Sequence, residues 1–311
     1  MSDTLKKYLT TDRSTRIQAL HLTQAWQTGL AHQDLPPLLV SLLGELAAAS
    51  VLLAGNIKFD GSVVLQLQGN GPVHLIMVEC TSALDLRATA HLREGAALPA
   101  DTTTLQDLLN ADGQGRFMVM LDPAGRQAGT PAYQGIVPLE GDTIAAVLEH
   151  YMKHSEQLDT RLWLAADAHA CAGLLLQRMP NESPATDDPR PFGHADTTWT
   201  HCTTLAGTLD RDELRATDSD TLIRRLFWED DLLSFPAQDV RWHCPCSRER
   251  VASMLRTLGH RELEDILNEQ GCVHITCNFC GQPYDFDAQD CTALFACAID
   301  PSLAPGSDTV H

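Results

Sequence analysis

His243-Cys244-Pro245-Cys246 and Cys277-Asn278-Phe279-Cys280-Gly281 set a Cys-x-Cys pair and a Cys-x-x-Cys pair 30 residues apart. Two cysteine pairs so placed can converge as four thiolates on one tetrahedral Zn2+. Cys272, His243 and His274 are weaker alternative ligands. Four thiolates leave no coordination position for water or substrate, which argues against a zinc hydrolase. A thioredoxin-like Cys-x-x-Cys works at the start of a helix, where its thiol pKa falls. Here Gly-Gln-Pro-Tyr-Asp-Phe follows Cys280 without helical pattern. A nucleic-acid zinc ribbon wants basic side chains, whereas Arg241 to Asp287 holds five arginines and seven acids. Two readings stay open on spacing alone: a permanent structural zinc and a thiol switch. In the second, each pair closes on itself in a small, strained and easily reduced disulfide ring. Disulfide sulfurs bind Zn2+ poorly, so a metal-dependent fold would be lost on oxidation.

The surrounding chain suits a metal-held module. Cys246-Ser247 can cap a helix over Arg248 to Leu258 that Gly259 ends, and Arg261 to Gln270 makes a second helix ended by Gly271. Cys272 to Thr276 and Tyr284 to Phe286 read as a small hairpin whose turn carries the second cysteine pair. A module of about 50 residues has little core, so structural zinc would supply about 10 kcal/mol or more of its folding energy. The expected zinc-binding, redox-switch domain is 241–290, with a C-terminal tail over 291–311.

The chain has 311 residues, ten of them cysteines, and seven of the ten fall after residue 243. Cys80 and Cys171 sit among apolar or small residues and read as buried hydrophobes. The 41 acids against 22 basic residues give a net charge of −19, which repels phosphate backbones and anionic lipid, so neither nucleic acid nor a membrane is an expected partner. Nothing near Met1 resembles a signal peptide, and the richest apolar stretch, Leu42 to Leu53, is broken by Gly44 and Glu45. A cytoplasmic protein is expected, in which cysteines are core residues, metal ligands or redox groups rather than a structural disulfide framework. No histidine, carboxylate or glycine motif assembles a catalytic group, and the 13 histidines are dispersed, so the chain is not read as an enzyme.

Ser62 to Val78 alternates polar and apolar positions around Asn70-Gly71-Pro72, as a hairpin does. Further strands are expected at Leu86 to Leu92, Gly115 to Leu121, Tyr133 to Leu139 and Arg161 to Leu164, with helices over Pro36 to Ala54 and Asp142 to His154. These make 1–180 an α+β core domain on a mainly antiparallel sheet. Prolines, acids and small polar residues from Asn181 to about Thr198 mark a boundary. Leu205, Leu209, Leu222, Leu226, Leu232 and Leu233 then recur at roughly helical spacing. The segment 181–240 carries 13 acids and five arginines, so it repels itself and depends on docking its apolar face elsewhere. An ordinary helical connector and a metastable linker both fit that pattern.

The whole chain resembles the redox-regulated 33-kilodalton heat-shock chaperone family. The resemblance runs in order through Leu43-Gly44-Glu45, Phe59-Asp60-Gly61, Leu65 to Pro72, Glu79-Cys80, Tyr133 to Glu140, Ser155-Glu-Gln-Leu158 and Ala172 to Gln177. It continues through Cys244-Pro-Cys-Ser-Arg-Glu-Arg250 and Cys277-Asn-Phe-Cys-Gly281. It implies an ATP-independent holdase of the oxidative stress response, inactive with one Zn2+ on Cys244, Cys246, Cys277 and Cys280. Peroxide or hypochlorite acting with unfolding conditions would form the disulfides Cys244–Cys246 and Cys277–Cys280, release zinc and unfold the linker. Homodimers would then bind unfolding client proteins, later passed to ATP-dependent foldase chaperones. The extra Cys272, Cys291 and Cys297 depart from the simplest family pattern and could scramble disulfides or substitute as ligands. The Pro184 to Pro191 run leaves the linker's start open.

Overall fold

The computed structural model describes residues 3–96, 98, 104–125, 132–180 and 194–296, with backbone only at 194, 195 and 296. The expected start of the linker, 181–193, and Cys297 lie outside them. The chain divides into two compact units, Met1–His243 and Cys244–His311.

The first unit opens with β1 (Thr4–Thr10), β2 (Thr15–Leu22), α1 (Gln24–Leu30) and α2 (Pro37–Ala54). There follow β3 (Gly61–Gln68), β4 (Val73–Thr81), β5 (Asp85–Leu92), α3 (Leu105–Leu109), β6 (Arg116–Pro123) and β7 (Tyr133–Pro138). Next come α4 (Ile144–His154), β8 (Thr160–Ala166) and β9 (Cys171–Arg178), then α5 (His194–Ala206), α6 (Arg211–Ala216) and α7 (Ser219–Leu226). Three short strands end the unit: β10 (Leu232–Ser234), β11 (Gln238–Asp239) and β12 (Arg241–Trp242).

Two sheets result. One runs β10-β1-β2-β9-β8, with β11 also on β1; the other runs β12-β5-β4-β3-β6-β7. All pairings are antiparallel except β12 on β5. The expected α+β class with mainly antiparallel sheet is what the chain adopts. Leu232 and Leu233, read as helical, instead pair in β10 with Thr10 and Leu9. Three residues at a sheet edge satisfy their backbone by pairing, which two adjacent leucines cannot distinguish from a helix turn.

Helix α2 lies between the sheets, packing on β9, β8 and β2 of one and on β4, β5 and β3 of the other. Pro37 opens it, where a missing N–H costs nothing. It is long and apolar enough to cross a membrane, yet 78% of it is buried inside the protein, so it is the core helix. Gly44 and Glu45, which break the apolar run, both lie within it. β4 alternates buried and less buried residues, as a strand with one wet face does. β2 and β9 are buried almost continuously, which needs cover on both faces.

That second cover is the acidic segment. Cys202, Ala206, Leu209, Leu214, Leu222, Ile223, Leu226 and Phe227 join Ile17, Ala19, Leu174 and Leu176 in one apolar cluster on the face of the sheet turned away from α2. The side chains of Asp210 and Asp218 accept the N–H groups of Glu213 and of Asp220 and Thr221, which fixes the starts of two very short helices. Polar ties fasten the segment: Lys6 to Asp220, Arg211 to Glu45, Arg215 to Asp167, and the Thr198 hydroxyl to Asp12 at 2.8 Å. At its end Trp242 lies over Gly29 so closely that a Cβ there would stand 2.3 Å from the indole ring.

Glu45 is 4% exposed on α2 and accepts from Arg211 of α6. Burial pushes its carboxyl up from the usual range, an effect only partly offset by Arg211 and by the Ser41 hydroxyl. A folded-state value above the unfolded one gives a contribution that is full below the unfolded carboxylate range and lost as pH rises through the folded value. Glu45→Gln, which does not titrate, should therefore gain stability relative to the native protein between acid and neutral pH. Urea unfolding at both pH values measures this, and a difference that stays constant would refute it.

Candidate metal centre

The second unit contains α8 (Arg248–Leu258), α9 (His260–Gln270), β13 (Val273–Thr276), β14 (Pro283–Phe286) and α10 (Ala288–Ala296). Ser247 caps α8 by accepting the Arg250 N–H at 3.3 Å. Gly259, at φ 94°, separates α8 from α9, and Gly271, at φ 76°, ends α9 in the left-handed region that favours glycine. β13 and β14 pair antiparallel from Val273↔Phe286 to Thr276↔Pro283, so the second cysteine pair is the hairpin turn. Within it the Cys277 N–H donates to the Gln282 carbonyl at 2.9 Å and the Gly281 N–H to the Cys277 carbonyl at 2.8 Å. Arg248 binds this frame together: it donates to the Asp285 carbonyl and to Asp290, each at 2.7 Å, and its guanidinium lies 4.2 Å from the centre of the Phe286 ring.

Helix α10 was not expected. Its Cys291 and Leu294 join Ala252, Leu255, Leu263, Val273 and Phe286 in the unit's core. Cys291 therefore belongs to the module's interior rather than to a tail beginning at 291. The Asp287 carboxylate accepts the Asp290 N–H at 2.8 Å, a cap legible as Asp-x-x-Asp.

The Cys244, Cys246, Cys277 and Cys280 sulfurs all lie within 4.8 Å of one another. The closest approaches run across the two pairs, 3.6 Å from Cys244 to Cys277 and 3.3 Å from Cys246 to Cys280. Sulfurs bound tetrahedrally at about 2.3 Å from one Zn2+ stand about 3.8 Å apart, so the cluster needs changes of no more than about an ångström between sulfurs to hold the ion. The alternative donors are engaged elsewhere. Cys272 points its sulfur at the Phe286 carbonyl 3.3 Å away, and the His274 Nδ1 lies 2.6 Å from the Asp285 carboxylate. The backbone N–H of His243 donates to the Leu86 carbonyl at 3.0 Å, and its imidazole is not among the grouped donor atoms.

The electrostatics suit a divalent cation. Burial would raise the Cys246 thiol, but hydrogen bonds from Tyr284 and the neighbouring thiols lower it to about 7. Burial, with hydrogen bonds to the other thiols, pushes Cys244 and Cys280 up. The cluster thus accepts one negative charge readily and resists more, which is the deficit that a bound dication makes good. Cys80 and Cys171 are fully buried and Cys202 nearly so, and burial pushes the Cys202 thiol up to about 12. None of these three is a reactive thiol.

Tyr284 carries a role that spacing did not disclose. Its hydroxyl donates to the Cys246 sulfur at 3.2 Å from the strand following the turn. Its place four residues after Cys280, on the return strand of the hairpin, is the signal that could have found it. Hydrogen bonds to metal ligands typically tune affinity by about 10–100-fold. Tyr284→Phe should weaken zinc retention by about tenfold in competition with a chromophoric chelator. Unchanged competition would remove Tyr284 from the site.

Comparison with known proteins agrees with this architecture. The family model described as "Hsp33 protein" matches residues 3–287. The "33 kDa chaperonin" of Methylobacillus flagellatus is 42% identical over 312 residues, covering 100% of this chain and 99% of that protein. The protein of the same name from Chromobacterium violaceum is 41% identical over 94% of each chain. The crystal structure of the 33 kDa chaperonin, heat shock protein 33 homolog, of Thermotoga maritima superposes with a TM-score of 0.76 at 19% identity. It covers 96% of this chain and 99% of that one, a likeness of fold. With a family model matched across nearly its whole length and relatives above 40% identity end to end, the chain belongs to the Hsp33 family.

Proposed function

We propose that this chain is a cytosolic, ATP-independent holdase and not an enzyme, switched by the redox state of Cys244, Cys246, Cys277 and Cys280. The observation that carries the reading is the convergence of these four thiols at the start of a module whose chain continues from the acidic segment, the strap, that covers the first sheet. Membership of a family whose members are named chaperonins supports the chaperone activity.

In the reduced protein the four sulfurs would hold one zinc ion. When bound, the ion neutralises thiolate charge and supplies folding energy to a unit with a small core. On oxidation each thiolate pair gives up two electrons to hydrogen peroxide, which takes up two protons from solvent. An S–S bond forms, the O–O bond breaks and two waters leave. The pairing Cys244–Cys246 and Cys277–Cys280 rests on the family resemblance, because the shortest sulfur separations run across the pairs. Once both pairs are oxidised, no anionic sulfur donor remains and the module unfolds. Loss of the module is followed by release of the 181–240 linker, whose end is otherwise anchored on the first unit by β12 on β5 and Trp242 on Gly29, and the short helices leave the sheet. The faces thus exposed, Ile17, Ala19, Leu174 and Leu176 on the sheet and Leu222, Ile223 and Phe227 on the strap, bind unfolding clients in the oxidised homodimer. Return of reducing conditions restores the donors, and clients pass to ATP-dependent foldases.

Peptide mapping of peroxide-treated protein, with zinc release followed in the same samples, tests the chemistry. Two intra-pair disulfides forming as one zinc leaves is the expected result. Zinc retained after full oxidant treatment would reduce the centre to a structural one.

A further inference from the structure

The histidines are dispersed in sequence, yet α4 brings two together outside the thiol cluster. His150 and His154 are four residues apart, one helical turn on one face. Their ring centres are 4.1 Å apart and the planes are inclined at 74°. The His150 Nδ1 stands 3.2 Å from a carboxylate oxygen of Glu140. The His154 Nδ1 stands 2.9 Å from the carbonyl oxygen of His150. A carbonyl only accepts, so the His154 contact requires the hydrogen on Nδ1, and the Glu140 carboxylate beside the His150 Nδ1 favours the same tautomer there. In the neutral ring the other nitrogen then carries a bare lone pair. Both Nε2 atoms are left as donors to an electrophile, with the opposite nitrogen of each ring oriented by an acceptor. Metal-ligating histidines are held in this manner, through a carboxylate or carbonyl on the non-coordinating nitrogen.

We propose that His150 and His154 form a surface site for a late first-row divalent cation of the Zn2+, Ni2+ or Cu2+ class, with Glu140 as a positioning residue. Distances support it. An ion about 2.1 Å from each Nε2 lies about 3.2 Å from each ring centre, and a right angle at the ion separates the centres by about 4.5 Å. The observed ring-centre spacing of 4.1 Å is within half an ångström of that value. Imidazole selects this class of ion over Mg2+ and Ca2+, which prefer oxygen. His154 is exposed and the His150 side chain is 41% exposed, so an ion reaches the site without rearrangement of the core. Two protein donors leave the remaining positions to water or to a donor from another molecule. The site is independent of the four cysteines and of the redox reading.

The test uses full-length protein already carrying one zinc on its cysteines, kept reduced with a phosphine and titrated with Ni2+ by calorimetry. One further saturable equivalent is expected, weakened at least about tenfold in His150→Ala and in His154→Ala, and to a smaller degree in Glu140→Gln. Long-range proton–nitrogen correlation spectra of the metal-free site should show the Nδ1–H tautomer at both rings, a readout independent of affinity. Zinc content must remain one per chain, so that exchange at the cysteines is not counted. Absence of the additional equivalent, its survival in the His150→Ala/His154→Ala double variant, or an Nε2–H tautomer at either ring would overturn the proposal.

Discussion

Stripping zinc from the reduced protein with a tight chelator is expected to unfold residues 244–296 and leave the two large sheets folded. The first unit has the α2-centred core, whereas the second buries only seven apolar or cysteine side chains among its described residues. The five leucine, valine and phenylalanine side chains among them contribute about 1.5–3 kcal/mol each, against about 1–2 kcal/mol of backbone entropy for every ordered residue. Metal ligation worth about 10–16 kcal/mol changes that balance. Cys280→Ser should act as chelation does, because three thiolates and a hydroxyl make a poor zinc site. Hydrogen exchange provides the measurement. Amides of α8, α9 and the β13–β14 hairpin should lose protection while those of α2, β2 and β9 keep it. A chelated module that retained protection would show that its core suffices without metal.

Leu222→Ala combined with Phe227→Ala should make the protein hold unfolding clients while still reduced and zinc-loaded. Both side chains are nearly fully buried where the strap meets the sheet, and neither belongs to the second unit. Truncations of this kind cost about 2–5 kcal/mol for leucine and about 3–5 kcal/mol for phenylalanine. The strap has helices of thirteen, six and eight residues, of marginal length in isolation, and a net negative charge, so it has little independent stability to set against that loss. Its Lys6–Asp220 and Arg215–Asp167 salt bridges are open to solvent and do little to compensate, and in the third, Arg211–Glu45, burial of the carboxylate offsets part of the gain. Exchange across 205–235 should rise with zinc content unchanged, and suppression of client aggregation should appear without oxidant. A strap released in this way that left aggregation unaffected would mean that clients bind elsewhere.

The sequence disclosed most where chemistry and periodicity coincide. Cysteine spacing marked the four thiols that the fold gathers, and Ser247, Gly259 and Gly271 marked the module's helix boundaries. Strands with one wet face, such as β3, β4 and β6, show in the alternation of their residues. β2 and β9 escaped notice for the opposite reason. β2 and β9 lie between α2 and the strap, so their inward and outward residues are alike buried and the period of two disappears. Helix α10 was missed because its apolar residues face a small core and supply a weak stripe. Tyr284 and the pair His150 and His154 depend on atoms meeting across a hairpin or a helix turn, and on which ring nitrogen faces an acceptor. Composition carries no trace of those orientations.

The most direct test of the redox account follows aggregation of a thermally unfolding client with reduced, zinc-loaded protein and with peroxide-treated protein, reading zinc release by a colorimetric chelator in the same samples. The account predicts that suppression of aggregation appears only as zinc leaves and is lost again on reduction with zinc resupplied. Equal suppression by both forms, or zinc release without any gain in suppression, would contradict it.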